Sequence, residues 1–137
     1  MKIRKIDHLG IGVASLEEAL KLYRDVLGLP VADLEVLGDM KLKVIKVQAG
    51  DTVLELLEPL AGETVISKFL ATRGGGIHHV CFEVDDVRGA TMELASKGYE
   101  PLWPEPRRGA GNRLVNFLRP KKTLGVLIEI NQPTPVS

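Results

Sequence analysis

The 137-residue chain repeats itself about halfway along. Asp7-His8-Leu9-Gly10-Ile11-Gly12-Val13 runs into Ala14-Ser15-Leu16, and His78-His79-Val80-Cys81-Phe82-Glu83-Val84 runs into Asp85-Asp86-Val87. Each copy reads as a histidine opening an alternating strand, followed by a small polar residue able to cap a helix. Gly28 and Gly98 stand where the two helices should stop. Such a repeat means one supersecondary unit used twice. Neither copy is long enough to bury a sheet alone. The expected organisation is therefore one domain, residues 1–137, with modules at about 5–60 and 77–132 joined by 61–76.

Local patterning fills in each module. Ser15 and Glu18 have capping-box spacing, and Leu16, Ala19, Leu20, Tyr23 and Leu27 line one helical face. In the second copy Asp86 is the candidate cap, with Val87, Ala90 and Leu94 as the stripe. Strands are expected at 40–47, 52–57, 113–118 and 125–130, with shorter extended pieces near 31–36 and 99–103. Each module thus reads βαβββ. The link holds a short helix (Val65, Ile66, Phe69, Leu70) and ends in Gly74-Gly75-Gly76.

The repeat extends to polar residues inside the strands. Val53-Leu54-Glu55-Leu56-Leu57 and Leu127-Ile128-Glu129-Ile130 each set one carboxylate among apolar neighbours. Glu55 lies 47 residues after His8, and Glu129 lies 50 after His79. By strand alternation His8 shares a face with Gly10 and Gly12, which leaves room for a ligand beside the imidazole. His79 shares its face with Cys81 and Glu83, and His78 points the other way. A carboxylate within an apolar strand is costly to bury unless paired or bound to metal. Two histidines and two glutamates at matching positions satisfy one another as a His2Glu2 site for zinc, cobalt, nickel, iron or manganese. A local cationic cluster (Arg107, Arg108, Arg113, Lys121 and Lys122, around Gly109-Ala110-Gly111) is the candidate for meeting an anionic substrate.

Composition narrows the function classes. Eighteen basic and eighteen acidic side chains give a formal net charge of +0, without the basic excess of a nucleic-acid binder. The single cysteine, Cys81, excludes an intrachain disulfide framework. No apolar run approaches the roughly 20 residues that cross a bilayer. Neither nucleic acid nor membrane is an expected partner. The absence of an Arg- and Ser-rich leader favours a cytoplasmic location.

These residues resemble the vicinal oxygen chelate superfamily, which includes glyoxalases, bleomycin-resistance proteins and dioxygenases. Within it the chain is most similar to methylmalonyl-CoA epimerases, over about residues 5–132. The resemblance rests on Asp7 to Val13, Glu55-Leu56-Leu57-Glu58-Pro59-Leu60, Gly76-Ile77-His78-His79-Val80 and the run from Glu105 to Ile130. Many superfamily members carry an Asp-Pro-Asp-Gly-like turn before the last strand. Arg119-Pro120-Lys121-Lys122 stands there instead, which favours the epimerases.

The resemblance implies an α+β fold in which tandem βαβββ modules form a cupped mixed sheet around one divalent metal. It places the metal ligands on His8, Glu55, His79 and Glu129, with Co2+ favoured and Mn2+, Zn2+ or Ni2+ as alternatives. The implied partner is an acyl-CoA, and the implied assembly a homodimer. The implied reaction is C2 proton abstraction from (2R)- or (2S)-methylmalonyl-CoA, with Glu129 as an acid/base. Arg107, Arg108, Arg113 and Lys121 are then the expected contacts to the CoA phosphates, with Gly109 and Gly111 letting the loop close over the thioester. Some epimerases place a second carboxylate near the position of Leu42, and this chain has none there. A glyoxalase I-like lyase and a metal-free small-molecule binding protein are the competing readings.

Overall fold

The computed structural model describes residues 1–133. The elements are β1 (Ile3–Gly12), α1 (Leu16–Leu20) running on as a π-helical segment (Lys21–Val26), β2 (Glu35–Leu37), β3 (Leu42–Ala49) and β4 (Thr52–Pro59). Then follow α2 (Val65–Arg73), β5 (Gly76–Val84), α3 (Val87–Ser96), β6 (Arg107–Arg108), a 3-10 turn (Ala110–Asn112), β7 (Leu114–Leu118) and β8 (Ile128–Gln132). The chain divides into two compact units: His8–His78, and Met1–Asp7 together with the chain from His79 onward.

The first unit orders its strands β2-β3-β4-β1, with β1 parallel to β4 and the other pairs antiparallel. Its core joins Ile11, Leu16, Ile45, Val47 and Leu56, with Ala19, Leu20 and Tyr23 packing down from the helix. Ser15 caps that helix, its Oγ accepting the Glu18 N–H at 3.2 Å. Leu27 does not join the stripe as expected. Past Leu20 the helix widens to i→i+5 bonding, the Leu27 N–H reaching the Leu22 carbonyl at 2.8 Å. The wider register turns Leu22, Val26 and Leu27 outward, and Leu29 packs against the core instead.

Helix α2 in the link carries a full capping box between Thr64 and Ser67 and stops at Gly74, where φ is +76°. Ile66 and Leu70 cover Val44 and Leu57. A Cβ on Gly12 would stand 3.1 Å from Phe69 Cδ2. The space beside Gly12, expected to suit a ligand, is thus taken by the Phe69 ring.

The second unit orders its strands β5-β8-β7-β6, with β5 parallel to β8. This is the topology of the first unit again, β-α-β-β-β in chain order. Helix α3 buries Val87, Ala90 and Leu94 against Val84, Leu118 and Ile130. Asp86 makes no side-chain cap. Instead the Val87 N–H donates to Gln132 Oε1 at 2.7 Å, just as the Leu16 N–H donates to Glu58 Oε1 at 2.7 Å. Each helix start is therefore tied to the end of its unit's last strand. That strand begins at Ile128 rather than Gly125 in the second unit, because Leu124 and Gly125 hold positive φ in a turn. The short extended pieces are mostly lone bridges, Val31 with Val47 and Pro101 with Leu118.

Candidate metal centre

Register explains how each unit assembles one histidine–glutamate pair. Gly10, two residues after His8, is opposite Glu55 in the β1–β4 ladder. Cys81, two residues after His79, is opposite Glu129 in the β5–β8 ladder. The pairing is the same in both units. Residues alternate faces along a strand, so each imidazole and carboxylate emerge on one face of neighbouring strands. His8 Nδ1 lies 3.3 Å from Glu55 Oε2, and His79 Nε2 lies 3.0 Å from Glu129 Oε1. All four residues are buried.

The donor chemistry fits a cation. Imidazole nitrogen and carboxylate oxygen are borderline-hard donors suited to first-row divalent ions. Two such donors, each about 2.1 Å from one ion at tetrahedral to octahedral angles, stand about 3.0–3.4 Å apart. Both observed separations fall in that range. A buried carboxylate beside an imidazole also gains from a nearby positive charge.

The cross-strand neighbours of the two glutamates differ. Lys46 of β3 lies opposite Glu55, whereas Phe117 of β7 lies opposite Glu129. The Phe117 ring stands edge-on to His79, with centroids 5.7 Å apart. Trp103 stands edge-on to Phe117 at 5.5 Å, and the Arg107 guanidinium lies 4.5 Å above the indole. Trp103 belongs to no strand, yet its backbone is gripped by buried Asn116. Asn116 Oδ1 accepts the Trp103 N–H at 3.2 Å, and Nδ2 donates to the Trp103 carbonyl at 3.0 Å and to Thr91 Oγ1 at 3.2 Å.

The candidate cationic cluster does not stay together. Arg113 Nη1 pairs with Glu83 at 3.0 Å and with Asp7 at 3.3 Å. Arg108 closes its own turn, donating to the Asn112 carbonyl at 2.9 Å, while the Gly109 N–H donates to the Arg113 carbonyl at 2.9 Å. Gly111 sits within the 3-10 turn at φ +67°. Arg108 pairs with Leu114 at one end of β7, and Lys121 follows Leu118 at the other, roughly 13 Å along the strand. Lys121 there lines a cavity of about 230 Å³ with Arg119, Lys122 and Tyr99. Lys122 donates to the Gly98 carbonyl at 2.7 Å.

Other candidates resolve simply. His78 stands edge-on to Phe69, centroids 4.9 Å apart, and Cys81 is wholly buried. Leu42 packs against the apolar cluster beneath α2. Lys43 is held by Glu58 at 2.6 Å, and Lys41 lies in a turn at positive φ. Neither lysine is placed as a second base.

Sequence reasoning missed Glu58, Gln132, Asn116, Phe117 and Trp103. A signal existed for the first two. Both stand three residues after the repeat-equivalent glutamates.

A family model described as the Glyoxalase/Bleomycin resistance protein/Dioxygenase superfamily matches residues 7–117. The methylmalonyl-CoA epimerase of Mus musculus mitochondria is 40% identical over 132 residues, spanning 96% of this chain and 74% of that protein. An ethylmalonyl-CoA/methylmalonyl-CoA epimerase of Cereibacter sphaeroides is 38% identical over 95% of this chain and 98% of its own length. Among solved structures, a variant of Streptomyces coelicolor methylmalonyl-CoA epimerase in complex with 2-nitronate-propionyl-CoA superposes with a TM-score of 0.93 at 32% identity, covering 99% of each chain.

Proposed function

The chain belongs to the Glyoxalase/Bleomycin resistance protein/Dioxygenase superfamily, and on that footing we propose that it interconverts (2R)- and (2S)-methylmalonyl-CoA. One divalent cation per chain, held by His8, Glu55, His79 and Glu129, completes the proposal, with Co2+ the first choice and Mn2+, Zn2+ or Ni2+ as substitutes. The observation that carries it is the repeated buried histidine–glutamate pair, in the same register in both units, at 3.3 and 3.0 Å. The relatives named as epimerases at 40% and 38% identity favour this reaction over hemithioacetal isomerisation.

The C2 proton of a malonyl thioester is acidified by two flanking carbonyl groups, and its removal leaves an enolate. A bound divalent cation supplies Lewis-acid stabilisation of that developing charge. Glu129 accepts the proton from one face of C2 through a carboxylate oxygen, and a proton from solvent water returned to the other face completes the epimerisation. The imidazole of His79, 3.0 Å from that carboxylate, fixes its orientation. Phe117, opposite Glu129 in the ladder, keeps water from one side of the carboxylate. Arg107 and Arg108 are exposed at the sheet edge, where their charge is open to the phosphates of CoA. In this reading Gly109 and Gly111 shape that turn, Lys121 offers a further contact from the far end of β7, and Arg113 holds Asp7 and Glu83 in place.

The reading also takes the protein to be a cytoplasmic homodimer, which light scattering checks. Among the described residues no helix is long and apolar enough to cross a membrane. The reaction is tested by following deuterium entry at C2 of methylmalonyl-CoA in D2O, with and without Co2+. Fast exchange that needs the ion is expected. No exchange with any divalent ion, in folded protein shown to hold one, overturns the proposal.

A further inference from the structure

We infer that the Phe117 ring, backed by Trp103, forms the wall against which the C2 alkyl group of the substrate rests, and so sets how large that group can be. This rests on the epimerase reading and names the residues that would give it its specificity.

Side chains of β7 alternate between its two faces. Asn116 bonds Thr91 of α3, and Leu118 belongs to the core cluster beneath α3. Phe117, between them, therefore projects from the opposite face. That face is the one carrying Glu129, its direct partner in the antiparallel ladder. Asn116 is 0% and Leu118 7% exposed, while Phe117 is only half-buried. An aromatic ring is thus open to a ligand beside the carboxylate proposed to move the proton, with its neighbour ring, His79, at 5.7 Å.

Repeat symmetry shows that the fold does not require this ring. The equivalent residue opposite Glu55 is Lys46. Only one of the two pairs has an apolar wall.

The wall is also braced. Trp103 meets Phe117 edge-on and is covered on one side by Arg107. Its backbone N–H and carbonyl are both held by the one Asn116 side chain, and the preceding Leu102 N–H donates to the Phe117 carbonyl at 2.8 Å. A segment without strand structure is thereby fixed against β7.

The substrate chemistry calls for such a surface. At C2 of a 2-alkylmalonyl thioester, two of the heavy-atom substituents are polar carbonyl carbons and the third is the alkyl group. The alkyl group alone gains from an apolar ring. A rigid ring rejects one extra methylene by roughly tenfold or more.

The test is the ratio of kcat/KM for ethylmalonyl-CoA to that for methylmalonyl-CoA, measured on the same preparation. Folded fraction and metal loading cancel in that ratio, so a purely structural defect leaves it unmoved. Phe117→Ala should raise the ratio about tenfold. Trp103→Leu, which removes the brace without touching the His79 contact, should raise it less. Lys46→Ala, at the repeat-equivalent position, should leave it as in wild type. If wild type turns over methylmalonyl-CoA and both wall variants keep its ratio, this inference is overturned and the epimerase reading stands. If wild type turns over neither thioester, both fall together.

Discussion

The two units build the same pair of side chains by the same register and then surround it differently. In the first, Glu55 faces Lys46 across the ladder, and the strand's other side carries Ile45 into an apolar core. In the second, Glu129 faces Phe117, and the residue equivalent to Ile45 is Asn116, which holds Trp103. What the repeat preserves is the histidine, the glutamate and the tie from the last strand to the helix start. What it lets drift is the residue opposite each glutamate, Lys46 in one unit and Phe117 in the other. The two glutamates therefore stand beside chemically different neighbours.

The two units should differ most at their glutamates. Glu55→Gln and Glu129→Gln each keep an oxygen donor and lose one charge, so any equal effect belongs to metal binding. The second should lower kcat by about 10²–10⁴ beyond the first if Glu129 alone moves the proton. Initial rates at saturating Co2+ read this directly, and equal losses would contradict the asymmetry.

Next come the two central residues of the antiparallel ladders. Asn116→Leu strips partners from both polar groups of Trp103 and should cost about 3 kcal/mol in urea unfolding. Ile45→Asn, the reverse change in the first unit, should cost a similar amount by burying an amide in an apolar cluster. A neutral result for either would mean that its surroundings are not what distinguishes the units.

The smallest difference lies in the helix ties. Glu58→Ala and Gln132→Ala should each lose about 1 kcal/mol, as other helix N-terminal acceptors do. Only the first tie titrates. Burial pushes the Glu58 carboxyl up, but the Lys43 ammonium and the Leu16 N–H outweigh it and hold the group below its ordinary 4.5. A lowered folded value adds stability above pH 4.5 that is lost as pH falls through the depressed value. The melting-temperature gap between wild type and Glu58→Gln should therefore close on acidification, while that for Gln132→Ala stays constant. A gap that widens toward acid would have the sign wrong.

The two histidine–glutamate pairs and the paired βαβββ topology were legible because both are written twice, in strands whose alternation fixes a face. The link helix was legible from local spacing alone. What escaped were contacts between residues far apart and written only once, or written differently in each copy. Glu58 reaches Leu16 and Gln132 reaches Val87 across 42 and 45 residues, and glutamate and glutamine do not look like a repeat. The π-helical segment escaped because an apolar stripe from Leu16 to Leu27 fits ordinary helical spacing, and only the packing of Leu29 shows which register wins. The cationic side chains are spread apart for a plain reason. Nearness in sequence placed Arg113 with Lys121, whereas β7 runs between them and Asp7 and Glu83 claim the arginine.

The claim on which the rest depends is that two repeated pairs hold one ion. Calorimetric titration of metal-free protein with Co2+, alongside its visible absorption, measures that most directly. One ion per chain is predicted, with affinity falling in both His8→Ala and His79→Ala and with each variant altering the same cobalt spectrum. Two ions per chain, or an ion whose spectrum responds to only one of the histidines, would contradict the account.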